Sequence, residues 1–545
     1  MRDIYSHIEE HLDESIEALF ALVRQPSVSA QNMGFDKAPQ LVKQALESAG
    51  LTAEIVPVPN GGHPSVFGWA RAGVQFPRPG RAGVRGSVEG GGGAPSAAEG
   101  PRSRASSASP SPQPSPGRRG GFDPSKPTLL FYTHYDVQPP EPLELWQSPP
   151  FEPTRRRDRV FGRGISDDKG NIAARLAAIR AFMEVRGGLP CNLKFFVEGE
   201  EEIGSPNLPA LIAQRGHEFK ADACIWEGGG RNLSGDPFMY LGLKGVLTVK
   251  FTVKKLSGDA HSSYGTILPS APWRLVHALS TLRDSTGRVL IPGFYDAVRG
   301  ATREEDEAVA KLPDETEEWK QTFGTDELLG GLEGLPLRRR HLFEPTATIN
   351  GFISGYNGPG MKTVLPAEAG ARMDFRLVPD MRPDDIFHKL RAHLDKHGFT
   401  DVETEMMAGV NPARTAIDSP WVRMVAGTAE EIYGRKPVIA PTMAGTGPMY
   451  DFGVTLGMPI ATSGVDHPSH KIHAPNENIT VEDFLFGAKH AALIIQRFAE
   501  RWLAASDAAK RPAAAGTLRP SGAKPPAKRK SRLRSSMPGE LGSAY

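Results

Sequence analysis

Five separated stretches of this chain place carboxylates and imidazoles where they could hold metal ions. The first is THYD, in which His134 and Asp136 stand two residues apart. In an extended strand that spacing puts both side chains on one face, and an imidazole ligand needs an acceptor such as Asp136 to orient its ring. Alone, H-x-D is as consistent with a structural pair. FGRGISDDKGN then sets Asp167 and Asp168 in a glycine-flanked turn ahead of a helical stretch. An acid pair there is commonly a solvated cap and becomes a candidate bridging carboxylate only beside other ligands. In FFVEGEEEIGS, Glu198, Glu200, Glu201 and Glu202 crowd together directly after an apolar run, which is costly unless cations neutralise them or some stay protonated. CIWEGGG adds Glu227, and HPSHKIHAPNENI adds His467, His470 and His473. A dinuclear hydrolase needs a bridging carboxylate, an imidazole and a carboxylate on each side, and a further carboxylate to take a proton from water. The chain supplies every part.

The elements that must position these groups follow from periodicity. Apolar residues at Ile4, Ile8, Leu12, Ile16, Leu19, Phe20 and Val23 predict one amphipathic helix ended by Pro26. A second helix near 38–49 leads into two strand-like runs, LTAEIVPV and SVFGWARA. Then PTLLFYTHYDV, a helix around 171–185, LKFFVEG, a helix near 208–214 and DACIWEG alternate strand and helix, which predicts an α/β domain with a largely parallel sheet. Open sheets of this kind place their sites at the carboxyl ends of the strands, where the acids and histidines fall.

From Gly245 the texture changes. VLTVKFTVKKLSG alternates at period two, a helix is expected near 273–283, and TATINGFISG, EAGARMDFRLVP and a helix near 383–397 complete a separate α+β domain. Helix and strand material returns from about 418 to 499, including MPIATSG. The expected organisation is a catalytic domain in two parts, 1–242 and 411–503, with a second domain inserted at 243–410. Within the first part, 77–126 is Gly-, Pro-, Ser- and Arg-rich with almost no large apolar residue, and is expected to be a disordered insertion. The basic 504–545 segment is expected to be a disordered, solvated tail.

Bulk properties exclude little and constrain the setting. At 545 residues the chain exceeds the size of a single core. Its net charge of +1 gives no reason to expect nucleic acid or an anionic membrane as partner. The two cysteines, Cys191 and Cys224, leave no room for a disulfide framework or thiolate cluster. With no signal-like or membrane-length apolar run, the cytoplasm is the expected compartment.

HYDVQP, GRGxxDDKG, EGxEExGS and HxxNE, in this order, resemble the two-zinc peptidase family of acetylornithine deacetylase, succinyl-diaminopimelate desuccinylase, aminoacylase, glutamate carboxypeptidase and cytosolic carnosine-type dipeptidases. HYDVQPPEPLELWQSPPFEP looks most like the dipeptidase branch. The resemblance spans about 4–501 less the insertion. It implies a three-layer α/β/α catalytic domain with an inserted ferredoxin-like domain that serves as lid and dimerisation surface. It implies two zinc ions, or manganese, bridged by Asp167 in a turn that often holds a cis peptide, and held by His134, Glu202, Glu227 and His473. Glu201 would be the general base and Asp136 would orient His134. SGDAHS would supply His261 to polarise the scissile carbonyl, often into the neighbouring subunit's site, so a homodimer is implied. Thr363 in KTVLP and Arg376 in RLVP would touch the carboxylate of a small peptide substrate, and Thr446 in AGTGP would touch the substrate. Thr446 stands where dipeptidases carry serine, and Glu227 where several carry aspartate, which leaves N-acyl-amino-acid deacylation or desuccinylation as the alternative activity.

Overall fold

The apolar strand runs meet in one six-stranded sheet. The computed structural model describes residues 1–73, 122–123 and 125–510, with side chains described to 501. Sheet order is Thr52–Val56, Ser65–Ala70, Asn192–Glu198, Thr128–His134, Ala223–Trp226 and Ile460–Thr462. The last four are mutually parallel, and the first two join antiparallel. The sheet is therefore mixed rather than largely parallel. The link between Val56 and Ser65 is too short for the crossover that a parallel pair needs.

Helices cover both faces. α1 (Arg2–Glu10), α2 (Leu12–Arg24), α3 (Ala38–Ser48) and α4 (Lys169–Arg186) lie on one side, and helix Leu208–Phe219 on the other. The strand Thr128–His134 shows why. Leu129 and Phe131 join the cluster containing Ile8, Leu46 and Phe182. Leu130 and Tyr132 point the other way, into the cluster containing Leu211, Phe219 and Trp226. A strand buried on both faces reads as a continuous apolar run. Where one N-terminal helix was expected, the structure has two, because the backbone leaves helical geometry at His11 (φ −108°, ψ 22°).

The second sheet has the order Thr346–Ser354, Glu368–Leu377, Gly245–Lys254 and Glu403–Val410, antiparallel throughout. Leu247, Val249, Phe251 and Val253 face helices Ala271–Ser280 and Pro383–Lys396 and form a separate core with them. Three further helices, Arg303–Val309, Thr316–Phe323 and Gly334–Phe343, occupy a stretch with no expected element. The last helix spans Val481–Lys510, past the expected start of the tail at 504. The rest of that tail, and 77–121 of the expected insertion, lie outside the described residues. Cys191 and Cys224 are buried free thiols. Among the described residues no helix is long and apolar enough to cross a membrane.

One buried cation ties the strand ends together. Arg175 of α4 is 2% exposed. Its Nη1 donates to the Tyr132 carbonyl at 2.7 Å, and its Nη2 to the carbonyls of Trp226 (2.7 Å) and Ser463 (3.0 Å). These carbonyls lie close in sequence to His134 and Glu227. Arg175→Met would leave three buried acceptors without donors, each costing about 1–3 kcal/mol. We expect a loss of at least about 3 kcal/mol in denaturant unfolding; an unchanged midpoint would show that the clamp is dispensable.

Candidate active site

His134, Asp167, Glu201, Glu202, Glu227 and His473 come together at the carboxyl edge of the central sheet. His134 ends its strand, and Glu227 directly follows Ala223–Trp226. Glu201 and Glu202 open a short 3-10 turn, Glu201–Ile203, after strand Asn192–Glu198. Asp167 lies in the turn before α4, and its peptide bond to Asp168 is cis. His473 comes from the loop beyond strand Ile460–Thr462, with its backbone in the left-handed region (φ 58°). A non-glycine residue held there costs of order 1 kcal/mol or more, a strain that concentrates at functional sites.

These side chains converge. His134 Nε2 lies 2.9 Å from Asp167 Oδ1 and 3.7 Å from Glu227 Oε2. His473 Nε2 lies 2.9 Å from Asp167 Oδ2 and 3.0 Å from Glu202 Oε2. Asp167 thus stands between two imidazoles, one oxygen toward each. Glu201 belongs to the same cluster, since its Oε1 lies against Gly447, where an added Cβ would be 3.1 Å from Glu201 Oε1 and 4.0 Å from Glu227 Oε1.

Asp136 does more than orient His134. His134 Nδ1 is 3.0 Å from the Asp136 carbonyl and 3.4 Å from its carboxylate. The same carboxylate accepts the backbone N–H groups of Glu201 (3.2 Å) and Glu202 (3.0 Å). One fully buried aspartate therefore fixes both the imidazole and the turn that carries the two glutamates.

The electrostatics show what the cluster lacks. Burial, reinforced by Glu202, Asp167 and Asp136, pushes the Glu201 carboxyl well above its usual range. Burial does the same to Glu227, with Glu201, Asp168 and Asp167 adding to it, and raises Glu202, with Asp167 adding. Asp168 rises to about 7, chiefly through burial. For Asp167 burial also favours the neutral acid, but His134 and His473 outweigh it and hold the group ionised. Asp167 and Glu202 in turn lift His473 to about 10. Acids pushed upward together by burial and mutual repulsion are the electrostatic signature of a site suited to divalent cations. Glu227 Oε2 is buried with no hydrogen-bond donor, and the ligand atoms of His134, Asp167 and Glu202, and of His134, Asp168 and Glu227, all approach within 4.8 Å of one another. Imidazole and carboxylate donors at this spacing fit a zinc-class ion.

Residues 130–497 match the family described as Peptidase family M20/M25/M40. The chain belongs to this family. It is a metallopeptidase. It is 31% identical over 384 residues to the Cys-Gly metallodipeptidase dug1 of Schizosaccharomyces pombe, covering 68% of this chain and 79% of that one. It is 30% identical over 326 residues to the Beta-Ala-His dipeptidase of Mus musculus, covering 58% of this chain and 66% of that protein. Among solved structures, the M20 family metallo-carboxypeptidase Sso-CP2 of Sulfolobus solfataricus superposes with a TM-score of 0.76 at 33% identity, over 89% of this chain and 99% of that chain.

The remaining M20-motif residues fall into two groups. Arg376 Nη1 donates to Thr446 Oγ1 at 2.6 Å, and Thr446 precedes the Gly447 that packs on Glu201, so this pair reaches the carboxylate cluster. Thr363 Oγ1 and His261 Nε2 are 3.3 Å apart, and His261 Nδ1 is 2.8 Å from Ser263 Oγ. His261 and Thr363 are exposed, and among the described residues no hydrogen bond or ion pair joins them to the cluster. His467 is buried with Nδ1 3.2 Å from Ser469 Oγ, and His470 Nδ1 is 3.3 Å from Ser166 Oγ.

Two supporting residues escaped the sequence reading. Gln138 holds Glu202, donating through Nε2 to Oε2 at 2.8 Å and through its backbone N–H to Oε1 at 3.2 Å; its signal was the Gln of HYDVQP. Glu477, the final acid of HAPNE, is fully buried and accepts from Arg163 Nη1 (2.7 Å) and from the backbone N–H groups of Gly164 (2.9 Å), Ser166 (2.9 Å) and Asp167 (3.1 Å). It braces the turn on which Asp167 sits. In Glu477→Gln an amide N–H₂ must face donors, so the turn loosens. We expect about 10- to 100-fold weaker metal retention against a chelator, as for other residues that orient ligands; wild-type retention would remove Glu477 from the machinery.

Proposed function

We propose that this M20 peptidase hydrolyses the amide bond of dipeptides or short peptides bearing a free carboxylate, with Glu201 as general base. What supports this most is the meeting of His134, Glu202, Glu227 and His473 around Asp167 with a fourth, separate carboxylate, Glu201, alongside. The likeness to dipeptidases over most of the curated relative's length adds to it. Those five residues would hold two divalent ions, zinc or manganese, whose contribution when bound is to acidify a water and polarise the substrate carbonyl.

The chain's own residues do the rest. Glu201 takes the proton of the attacking water on its carboxylate and passes it to the leaving nitrogen. A pocket that favours its protonated form suits a group that must hold that proton between the two steps. Arg376, half-buried and steadied by Thr446, presents its remaining N–H groups to the substrate carboxylate. Thr363 and His261 come from the second sheet's domain, which acts as a lid, and His261 polarises the scissile carbonyl from the neighbouring subunit of a homodimer. Strand Thr346–Ser354 is a sheet edge exposing Ile349, Phe352 and Ile353, an apolar edge of the kind a partner subunit covers. Buried, unpaired cysteines suit a reducing cytoplasm.

Glu201→Ala tests the base. We expect it to keep its full metal content and to lose at least about 10²- to 10⁴-fold in kcat on a dipeptide library; retained turnover would refute the role. Faster hydrolysis of N-acetyl amino acids than of dipeptides by wild type would instead favour the deacylase activity.

Subunit sharing has its own test. Glu201→Ala and His261→Ala, each inactive alone, are co-expressed. If His261 serves the partner, a symmetric dimer regains about a quarter of wild-type activity, because half the dimers are mixed and each has one intact site. No recovery would place His261 in its own subunit's site or outside catalysis.

A further inference from the structure

At the far end of α4 from the catalytic cluster, a second set of metal-binding side chains comes together. His7 of α1, His11 at the break between α1 and α2, and Glu184 of α4 each offer a ligand atom, all within 4.8 Å of one another. His7 Nε2 is 2.8 Å from Glu184 Oε2. The imidazoles of His7 and His11 stack with ring centroids 4.1 Å apart and planes 14° from parallel. Glu184 is fifteen residues along α4 from Lys169, about 22 Å at 1.5 Å per residue, so no ligand can be shared with the catalytic cluster.

The break at His11 prepares the group. Residues four apart on a helix share a face, but here His11 also turns its ring back on the chain. Its Nδ1–H donates to the His7 carbonyl at 2.9 Å, a carbonyl that also accepts the His11 backbone N–H at 3.1 Å. A carbonyl can only accept, so the ring proton sits on Nδ1 and the Nε2 lone pair is left free, the tautomer in which a metal-binding histidine is held by a backbone acceptor. The neighbouring turn is held by Asp3, which accepts from Arg186 Nε (2.6 Å) and Nη2 (2.7 Å). α1 and the end of α4 are thereby fixed against each other beside the cluster.

We propose that His7, His11 and Glu184 form a third divalent-metal site, separate from the catalytic pair, which takes a zinc-class ion and clasps the N-terminal helix to α4. Two imidazole nitrogens and one carboxylate select zinc and its first-row neighbours over calcium or magnesium, which prefer all-oxygen shells. Tetrahedral zinc at about 2.0–2.2 Å from each ligand sets the ligand atoms about 3.4 Å apart, so His7 Nε2 and Glu184 Oε2 part slightly from 2.8 Å as the ion enters, by rotamer shifts of side chains at a partly open surface. Water fills the fourth position. Because α4 begins directly after Asp167 and Asp168, the clasp stabilises the helix on which the catalytic turn is mounted.

The experiment is equilibrium dialysis of the full chain against buffered zinc, with bound metal counted per chain in wild type, His7→Gln/His11→Gln and Glu184→Gln. Wild type is expected to hold one equivalent more than the double variant. Glu184→Gln, which leaves α1 untouched, is expected to bind that equivalent at least about tenfold more weakly, while both variants keep wild-type dipeptide turnover. Equal zinc content in all three proteins would overturn the proposal. Should the double variant lose turnover together with more than one equivalent, Glu184→Gln decides alone, and wild-type binding in it would likewise overturn the site.

Discussion

The fold's central constraint is the burial of more negative charge at one sheet edge than its own cations can balance. Asp136, Asp167, Asp168, Glu201, Glu202 and Glu227 meet there, with His134 and His473 between them and the Arg175 guanidinium behind. An isolated buried carboxylate costs several kcal/mol, and here each raises the cost of the next. The chain's response is selective. Asp136 is satisfied by two backbone N–H groups and a histidine, and Asp167 by two histidines. Glu201 and Glu227 are left short of donors and pushed toward the neutral acid. Asp136, supplied with backbone donors, holds the architecture, whereas Glu227 Oε2 is buried with no hydrogen-bond donor among the described residues.

That uneven distribution requires a rigid frame, because like charges separate if the backbone yields. Arg175 locks the carbonyls beside His134 and Glu227 from below. Glu477 locks the Asp167 turn from the side, with its own charge balanced by Arg163 at 2.7 Å. Gln138 pins Glu202. Each of the three removes one freedom by which the acids could move apart. The carboxyl ends of the parallel strands supply His134, Glu201, Glu202, Glu227 and, through a longer loop, His473, while Asp167 comes from the turn before α4, so chemistry collects at this edge.

Much of this was legible in the sequence, for identifiable reasons. Strands buried on both faces read as unbroken apolar runs, so TLLFYTH and LKFFVE announced themselves, and acids directly after such runs had nowhere to lie but a strand end. The antiparallel pairing of Ser65–Ala70 was not legible, because pairing direction is set by the length of a link rather than by composition. Nor was the break at His11, where apolar spacing continues through the interruption: Ile8 and Ile16 are both buried in the same cluster. The bracing roles of Glu477 and Gln138 were hidden for another reason. They depend on backbone N–H groups and carboxylate oxygens converging from distant segments, and a residue's motif position does not reveal which donors it will meet.

The link between the two sheets closes the argument from structure to chemistry. Arg376 lies on strand Glu368–Leu377 of the second sheet, paired in register with Val246 and Thr346. Its guanidinium reaches across to Thr446, and the next residue, Gly447, packs against Glu201 so closely that a side chain there would also meet Leu243 at 3.0 Å. A group suited to gripping a carboxylate is thus two residues, through one hydrogen bond and one glycine contact, from the acid suited to moving a proton. Small size at 447 is what allows the Arg376–Thr446 pair and the Glu201 carboxylate to share a boundary.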